Sequence, residues 1–229
     1  MNSQYFSETD DFTAHTTLAY KIRPNVIISL RSGTTQTRGE EFKTIPNTVR
    51  NPSLGYTSEL SSNTTSVLKR SGWIVEPQIN WFYQSEKGKL DALAGATFEE
   101  AEQSRFGIRA SNFLSNDFIF NLANGKTQQI TTDTESLYRY TAVFGRFNYT
   151  HHDRYILNLT GRRDGSSRFG VNNRFANFGA VGAAWLFSRE KFMENSSWIS
   201  FGKLRASYGI AGSDLIGDYQ YFNTYAVDY

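Results

Sequence analysis

Cysteine is missing from all 229 residues, which leaves no disulfide framework, no thiol nucleophile and no thiolate metal site. No run of about 18 apolar residues occurs, so no transmembrane helix is encoded. Charge of one sign is missing as well. The 24 basic and 22 acidic residues are interspersed and give a formal net charge of +2, so no face is evidently built for phosphate backbones, and nucleic acid is not an expected partner. The Gly-x-Ser-x-Gly elbow, the Walker loop, the dinucleotide fingerprint and His-Glu-x-x-His are all absent, which leaves hydrolase and nucleotide chemistry without motif support. No catalytic residue, cofactor or metal is expected. Met1 to Glu8 lacks the basic start, apolar stretch and small-residue cleavage site of a secretory signal; if the protein is exported, its natural beginning is expected to lie upstream.

Aromatics are abundant: 18 Phe, 13 Tyr and 4 Trp. They suit strands and the aromatic girdles of membrane barrels, and equally an aromatic-rich soluble sandwich. Low overall hydropathy does not exclude a barrel, because its alternating strands each give a weak signal. Length alone permits one or two soluble domains or a large arc of one barrel.

Order enters between Tyr155 and Tyr208, where apolar and polar side chains alternate with a period of two. Tyr155, Leu157 and Leu159 share one predicted strand face, and Asn158, Thr160, Arg162 and Asp164 share the other. One face suits lipid and the other water. The same alternation predicts strands over Phe12–Lys21, Val26–Leu30, Trp73–Gln84, Leu90–Phe98, Tyr138–Tyr149, Arg154–Gly161, Phe178–Ser188 and Trp198–Ile210. Pro77 would cost a ladder hydrogen bond, so its strand is expected to start late or carry a bulge. Ser188 is a candidate cap for one helical turn over Arg189–Ser197, with Glu190 and Glu194 among its polar residues. Phe113 to Leu122 fits either a strand end or a small loop element.

Predicted connections alternate in length. They are short at 22–25, 85–88, 150–153 and 188–198, and long at 35–72, 101–137, 162–176 and after 210. Short turns at one end and long loops at the other characterise outer-membrane barrels, and the expected fold is an all-β, antiparallel transmembrane barrel section of about eight strands.

Specific residues then narrow the reading: Gly145-Arg146-Phe147-Asn148-Tyr149, Asp153-Arg154-Tyr155-Ile156-Leu157, Arg163-Asp164-Gly165-Ser166-Ser167-Arg168-Phe169-Gly170, Trp185, Glu190-Lys191-Phe192 and Lys203-Leu204-Arg205-Ala206-Ser207-Tyr208-Gly209. This series resembles the barrel of SusC/RagA-type TonB-dependent outer-membrane transporters of Bacteroidetes. Leu93-Ala94-Gly95-Ala96-Thr97-Phe98-Glu99 is a weaker match, with Ala96 where the family would place an aromatic. The resemblance is dense from about 138 to 221 and sparse before 73. It implies that residues 1–229 are part of a 22-stranded barrel domain in the outer membrane of a Gram-negative bacterium, with the signal peptide and plug domain outside this sequence. The implied partners are outer-membrane lipid, a SusD-like lipoprotein, TonB reached through the missing N-terminal part, and an oligosaccharide or peptide substrate.

On this reading the lipid-facing residues are Tyr155, Leu157, Leu159, Trp185, Leu204 and Tyr208. Asn158, Thr160, Lys203, Arg205 and Ser207 face the lumen, where plug support is favoured over a solute path. Arg162, Arg163, Asp164, Gly165, Ser166, Ser167, Arg168, Phe169 and Gly170 form the family motif; it is read as a loop clamp that fixes strand register, with Asp164-Gly165 as a turn-prone pair and the three arginines as partners for Asp164. A ligand contact at the barrel mouth is the competing reading. His151-His152 is read as a solvated turn, since a third metal ligand is not evident. Two other classes stay open: a small eight-stranded anchor barrel, and a secreted carbohydrate-binding β-sandwich.

Overall fold

The computed structural model describes residues 1–170, 174–193 and 198–218. Eight strands run in chain order: β1 Gln4–Arg23, β2 Val26–Ile45, β3 Ser62–Ser85, β4 Gly88–Ser111, β5 Thr127–His151, β6 Tyr155–Ser166, β7 Phe175–Trp185 and β8 Leu204–Ile210. They form one sheet in which each strand pairs with its sequence neighbour, with β1 and β8 ending the order. Among the described residues there is no α-helix, only single 3₁₀ turns.

This arrangement removes two of the alternatives. A sandwich needs a second sheet and a thick apolar core, yet the described strands form one sheet, and among the described residues the buried apolar side chains are few: Pro46, Ala110, Phe113, Ile119, Ala142 and Leu186. A small barrel closed by these eight strands would pair β1 with β8, and the order does not.

The predicted hairpins are present, but most strands are longer than their apolar alternation. β1 begins at Gln4 instead of Phe12, β2 continues to Ile45, β3 begins at Ser62 and β4 reaches Ser111. The long connections expected at 35–72 and 101–137 therefore shrink to 46–61 and 112–126. Backbone pairing continues where polar side chains no longer mark a face, because ladder hydrogen bonds do not require amphipathic side chains. β3 runs through Pro77, so the late start expected there does not occur. β8 is shorter than expected, beginning at Leu204 instead of Trp198.

The β5–β6 connection is a tight turn closed by a hydrogen bond from the Arg154 N–H to the His151 carbonyl at 3.0 Å. His152 and Asp153 have φ of 49° and 52°. Positive φ at both positions matches the right-handed strand twist, and His and Asp are among the non-glycine residues that tolerate it best. Connection lengths alternate through β6, but 186–203 between β7 and β8 is longer than 167–174 between β6 and β7, which departs from the expected regular alternation. Of the helical turn expected over Arg189–Ser197, residues 194–197 lie outside the described residues, and the described part forms 3₁₀ turns at Phe187–Arg189 and Lys191–Met193. Leu186, not Ser188, precedes the first of these and makes no side-chain cap bond; Glu194 lies outside the described residues.

The chain divides into two units, one of Met1–Ala14, Thr34–Gly72 and Ala101–Leu137, the other of His15–Gly33, Trp73–Glu100 and the residues from Tyr138 onward. In the first, Ala110, Phe113 and Ile119 form a small core with Leu122 packed against it. The segment Phe113 to Leu122 is thus a loop element and not a strand end. Amides knit it: Asn63 Nδ2 donates to the Ile119 carbonyl at 2.8 Å, and Asn116 Nδ2 donates to Asn47 Oδ1 at 2.8 Å.

Candidate functional site

The second unit carries the residues singled out in the sequence. Opposed residues of an antiparallel pair share a face, so the ladders sort the side chains. One rung runs His151, Tyr155, Trp185, Leu204; a second runs Tyr149, Leu157, Ala183, Ala206; a third runs Phe147, Leu159, Val181, Tyr208. Tyr155, Leu157, Leu159, Trp185, Leu204 and Tyr208 therefore lie on one face of the sheet, and all six are exposed. On the opposite face Asn148, Asn158, Gly182 and Ser207 form a rung, as do Arg146, Thr160, Ala180 and Gly209. Asn158, Lys203, Arg205 and Ser207 line one hollow, while Thr160, Arg162 and Asp164 line a larger one. The two rows read from the sequence are thus segregated in space.

The motif from Arg162 to Gly170 differs from its predicted geometry. Asp164 and Gly165 are not a turn: they lie within β6, opposite Ala142 and Thr141 on β5 and Ala176 and Phe175 on β7. The Asp-Gly turn signal is overridden by pairing on both sides. A Cβ on Gly165 would come within 2.6 Å of the Phe175 ring, so close approach of that ring accounts for glycine here.

The three arginines have three different partners. Arg162 binds Asp164 at 2.5 Å and also the Tyr140 hydroxyl. Arg163 stacks over Phe175 at 5.3 Å. Arg168 does not reach Asp164; it pairs with Asp218 at 2.9 Å, donates to the Asp214 carbonyl at 3.2 Å and lies 4.3 Å from the Tyr138 ring centroid. Tyr138 in turn donates to the Asp214 carboxylate at 2.7 Å. Burial pushes the Asp214 carboxyl up, but the hydroxyls of Tyr138 and Ser166 and the Arg168 charge outweigh it and hold the group below its ordinary value.

The backbone around the motif is tied as well. Ser167 N–H donates to the Arg139 carbonyl and its hydroxyl accepts from the Arg139 N–H, both at 2.9 Å. Ser166 N–H donates to the Arg174 carbonyl at 3.0 Å, and Phe169 N–H returns to the Ser166 carbonyl at 3.4 Å, just before Gly170. These contacts join the end of β6 to β5 and to the residue that precedes β7.

A second cluster explains other motif residues. Glu190 accepts from the Tyr155 hydroxyl at 2.6 Å, from Trp185 Nε1 at 3.0 Å and from Arg154 at 3.1 Å. The bonds from Tyr155 and Trp185 hold its carboxyl below the usual range. Sequence reading missed Tyr138, Asp214 and Asp218 as clamp partners and Glu190 as the hub of this clasp; the Glu-Lys-Phe segment was the one available signal for the last. Among the described residues no group of His, Cys, Asp and Glu side chains is arranged to hold a metal ion.

With this geometry established, comparison with known proteins places the chain. A TonB-dependent receptor of Formosa agariphila is 36% identical over 180 residues, which cover 75% of this chain and 18% of the receptor. The TonB-dependent receptor SusC of Bacteroides thetaiotaomicron is 40% identical over 88 residues, 38% of this chain and 9% of SusC. A structure of the RagAB peptide transporter superposes with a TM-score of 0.84 at 26% identity, over 95% of this chain and 24% of that one. The chain belongs to the SusC/RagA-type TonB-dependent receptors. Its strands are a section of the β-barrel of that family, whose members are transporters and receptors and not enzymes. The chain spans about a fifth or less of the curated relatives and about a quarter of the solved chain. No family model matches the chain.

Proposed function

We propose that this chain forms part of the wall of an outer-membrane, TonB-dependent importer of glycans or peptides that works with a SusD-like lipoprotein and is driven through TonB. The observation that carries this reading is the division of β5–β8 into an exposed apolar-rich row and an opposite polar row. Tyr155, Leu157, Leu159, Trp185, Leu204 and Tyr208 face hydrocarbon, and Asn158, Thr160, Lys203, Arg205 and Ser207 face a hydrated lumen or the plug within it. The ordered sheet pairs its backbone groups, as hydrocarbon demands, and β1 and β8 continue the barrel through further strands. The Arg162–Gly170 motif is a register clamp at the loop end.

A paired substitution tests the orientation. Leu157→Arg is expected to lower stability in bilayers by about 2 to 4 kcal/mol if the site is near the midplane, while Asn158→Arg is mild. Folding titrations of the full-length receptor in lipid vesicles read this difference; equal losses from the two changes would remove the face assignment. Uptake that persists in cells lacking TonB would remove the transport reading.

A further inference from the structure

Arg162 and Arg163 are adjacent on β6, and their side chains belong to opposite faces of the sheet. Arg162 turns to the polar row and is neutralised by Asp164 at 2.5 Å. Arg163 shares the outward face with Leu157 and Leu159, on a rung with Val143 of β5 and Asn177 of β7. It is exposed, and its side chain makes no hydrogen bond or ion pair among the described residues; its guanidinium lies 5.3 Å from the Phe175 ring, which is itself 58% exposed. β6 pairs with β5 on one side and β7 on the other, so its outward face is not a free edge where a further strand would supply an acid. Arg139, on the same face of β5 and nearer the loop end, is already paired with Glu100 at 2.6 Å.

Height along the wall decides what Arg163 meets. Beyond the rung of Tyr155 and Trp185, the outward row of β5 to β8 carries no charged residue until Arg163. At about 3.3 Å per residue and a strand tilt of about 40°, Tyr155 and Arg163 are about 20 Å apart along the membrane normal, close to the far edge of an apolar band about 25 Å tall. The rung just before Arg163 is Gly145, Gly161 and Gly179, so no side chain there screens the guanidinium from the membrane. A cation at this depth, stacked on a ring and without an acid, is placed for a lipid phosphate. Guanidinium takes phosphate through two parallel N–H···O bonds, and the Asn177 amide opposite it has donors for an adjoining headgroup oxygen. From this we propose that Arg163, Phe175 and Asn177 form a headgroup site on the outer wall for a phosphate-bearing lipid of the outer leaflet, with Arg163 as the anion contact. This rests on the importer reading, which sets that face against lipid, and names one lipid class that it holds.

Native mass spectrometry of the full-length receptor, delipidated in neutral detergent and titrated with monophosphoryl lipid A, reads the site. Saturable retention is expected, and removal of the phosphate from the lipid should weaken it about fivefold or more. Arg163→Gln should weaken retention of the phosphorylated lipid to the same extent, and Arg163→Lys less, because the charge stays while the planar fork is lost. Arg139→Gln removes a guanidinium that is already paired and should change retention by less than about twofold. Excess inorganic phosphate should not displace the lipid, whose acyl chains lie on the apolar row. Heat-modifiable gel mobility verifies folding; if Arg163→Gln does not fold, Asn177→Leu, expected to weaken retention about twofold to threefold, takes its place. Equal retention of the phosphorylated and dephosphorylated lipids, or equal losses from Arg139→Gln and Arg163→Gln, overturns the site. Full displacement by inorganic phosphate overturns its assignment to lipid, and a change of oligomeric state in Arg163→Gln without loss of lipid shows that the face meets protein instead. Equal stability losses from Leu157→Arg and Asn158→Arg defeat the orientation beneath it, whereas retention insensitive to Arg163→Gln with that difference intact defeats this inference alone.

Discussion

The connections of the first unit and those of the second are held by different chemistry. In the first, the segments 46–61 and 112–126 enclose Phe113 and Ile119, which are 1% and 0% exposed, and neutral amides make the hydrogen bonds beside them, Asn63 to the Ile119 carbonyl and Asn116 to Asn47. In the second, the connection that follows β6 shows no such apolar nucleus among its described residues; it is fastened by Arg168 against a ring and two aspartates, with serine-to-backbone bonds beside it. Connections long enough to exclude water can rely on burial. A shorter one has too little apolar area and depends on charge-assisted hydrogen bonds and stacking, which salt and pH can weaken.

The sharpest way to break this contrast is Phe113→Ala. Removing a fully buried ring is expected to cost about 3 to 5 kcal/mol of local stability. Hydrogen exchange should accelerate across 46–61 and 112–126 regardless of salt, while β5–β8 keep their protection. Loss of protection in both units would mean that the loop nucleus also holds the sheet.

A smaller effect is expected from Arg168→Ala, about 1 kcal/mol, because its pair is partly exposed and its ring contact adds only a cation–π increment. Exchange should rise at Ser166, Ser167 and 211–218, and the difference from the unsubstituted protein should narrow in high salt. Arg168→Lys should recover part of it, since the charge stays but the planar fork is lost. A salt-independent effect equal to that of Phe113→Ala would erase the distinction between the two kinds of connection.

Much of the second unit was legible in the sequence, and for a physical reason. A strand with one apolar and one polar face writes that difference at period two, so Tyr155, Leu157 and Leu159 could be separated from Asn158 and Thr160 without coordinates. The extensions of β2, β3 and β4 were illegible because both faces there carry polar residues, and backbone pairing leaves no side-chain signature. Asp164-Gly165 misled because its local turn preference was read without the β5 and β7 neighbours that hold it extended. The partners of Arg168 were hidden for a related reason: Tyr138 and Asp218 are far from it in sequence, and chain spacing carries no information about which aspartate a loop arginine meets. Phe113 and Ile119 stood within a stretch rich in polar residues, where a local nucleus has no periodicity to announce it.

The finest test of the contrast concerns Glu190, the acceptor for Tyr155, Trp185 and Arg154. Its folded carboxyl titrates below the ordinary value, chiefly because the Tyr155 and Trp185 bonds favour the anion. The folded state therefore binds its proton less readily than the unfolded chain, and the stabilisation is complete above the unfolded carboxylate pKa, about 4.3, and is lost as pH falls through the folded value. Glu190→Gln should lower the unfolding temperature in detergent at pH 7, and the two proteins should converge in acid. Tyr155→Phe removes one donor, so the remaining carboxylate should titrate closer to its usual range and the pH-dependent part of the difference should shrink. If Glu190→Gln instead shows the same deficit from pH 7 to pH 3, the clasp works through shape and neutral hydrogen bonds, and the second unit would share the logic of the first.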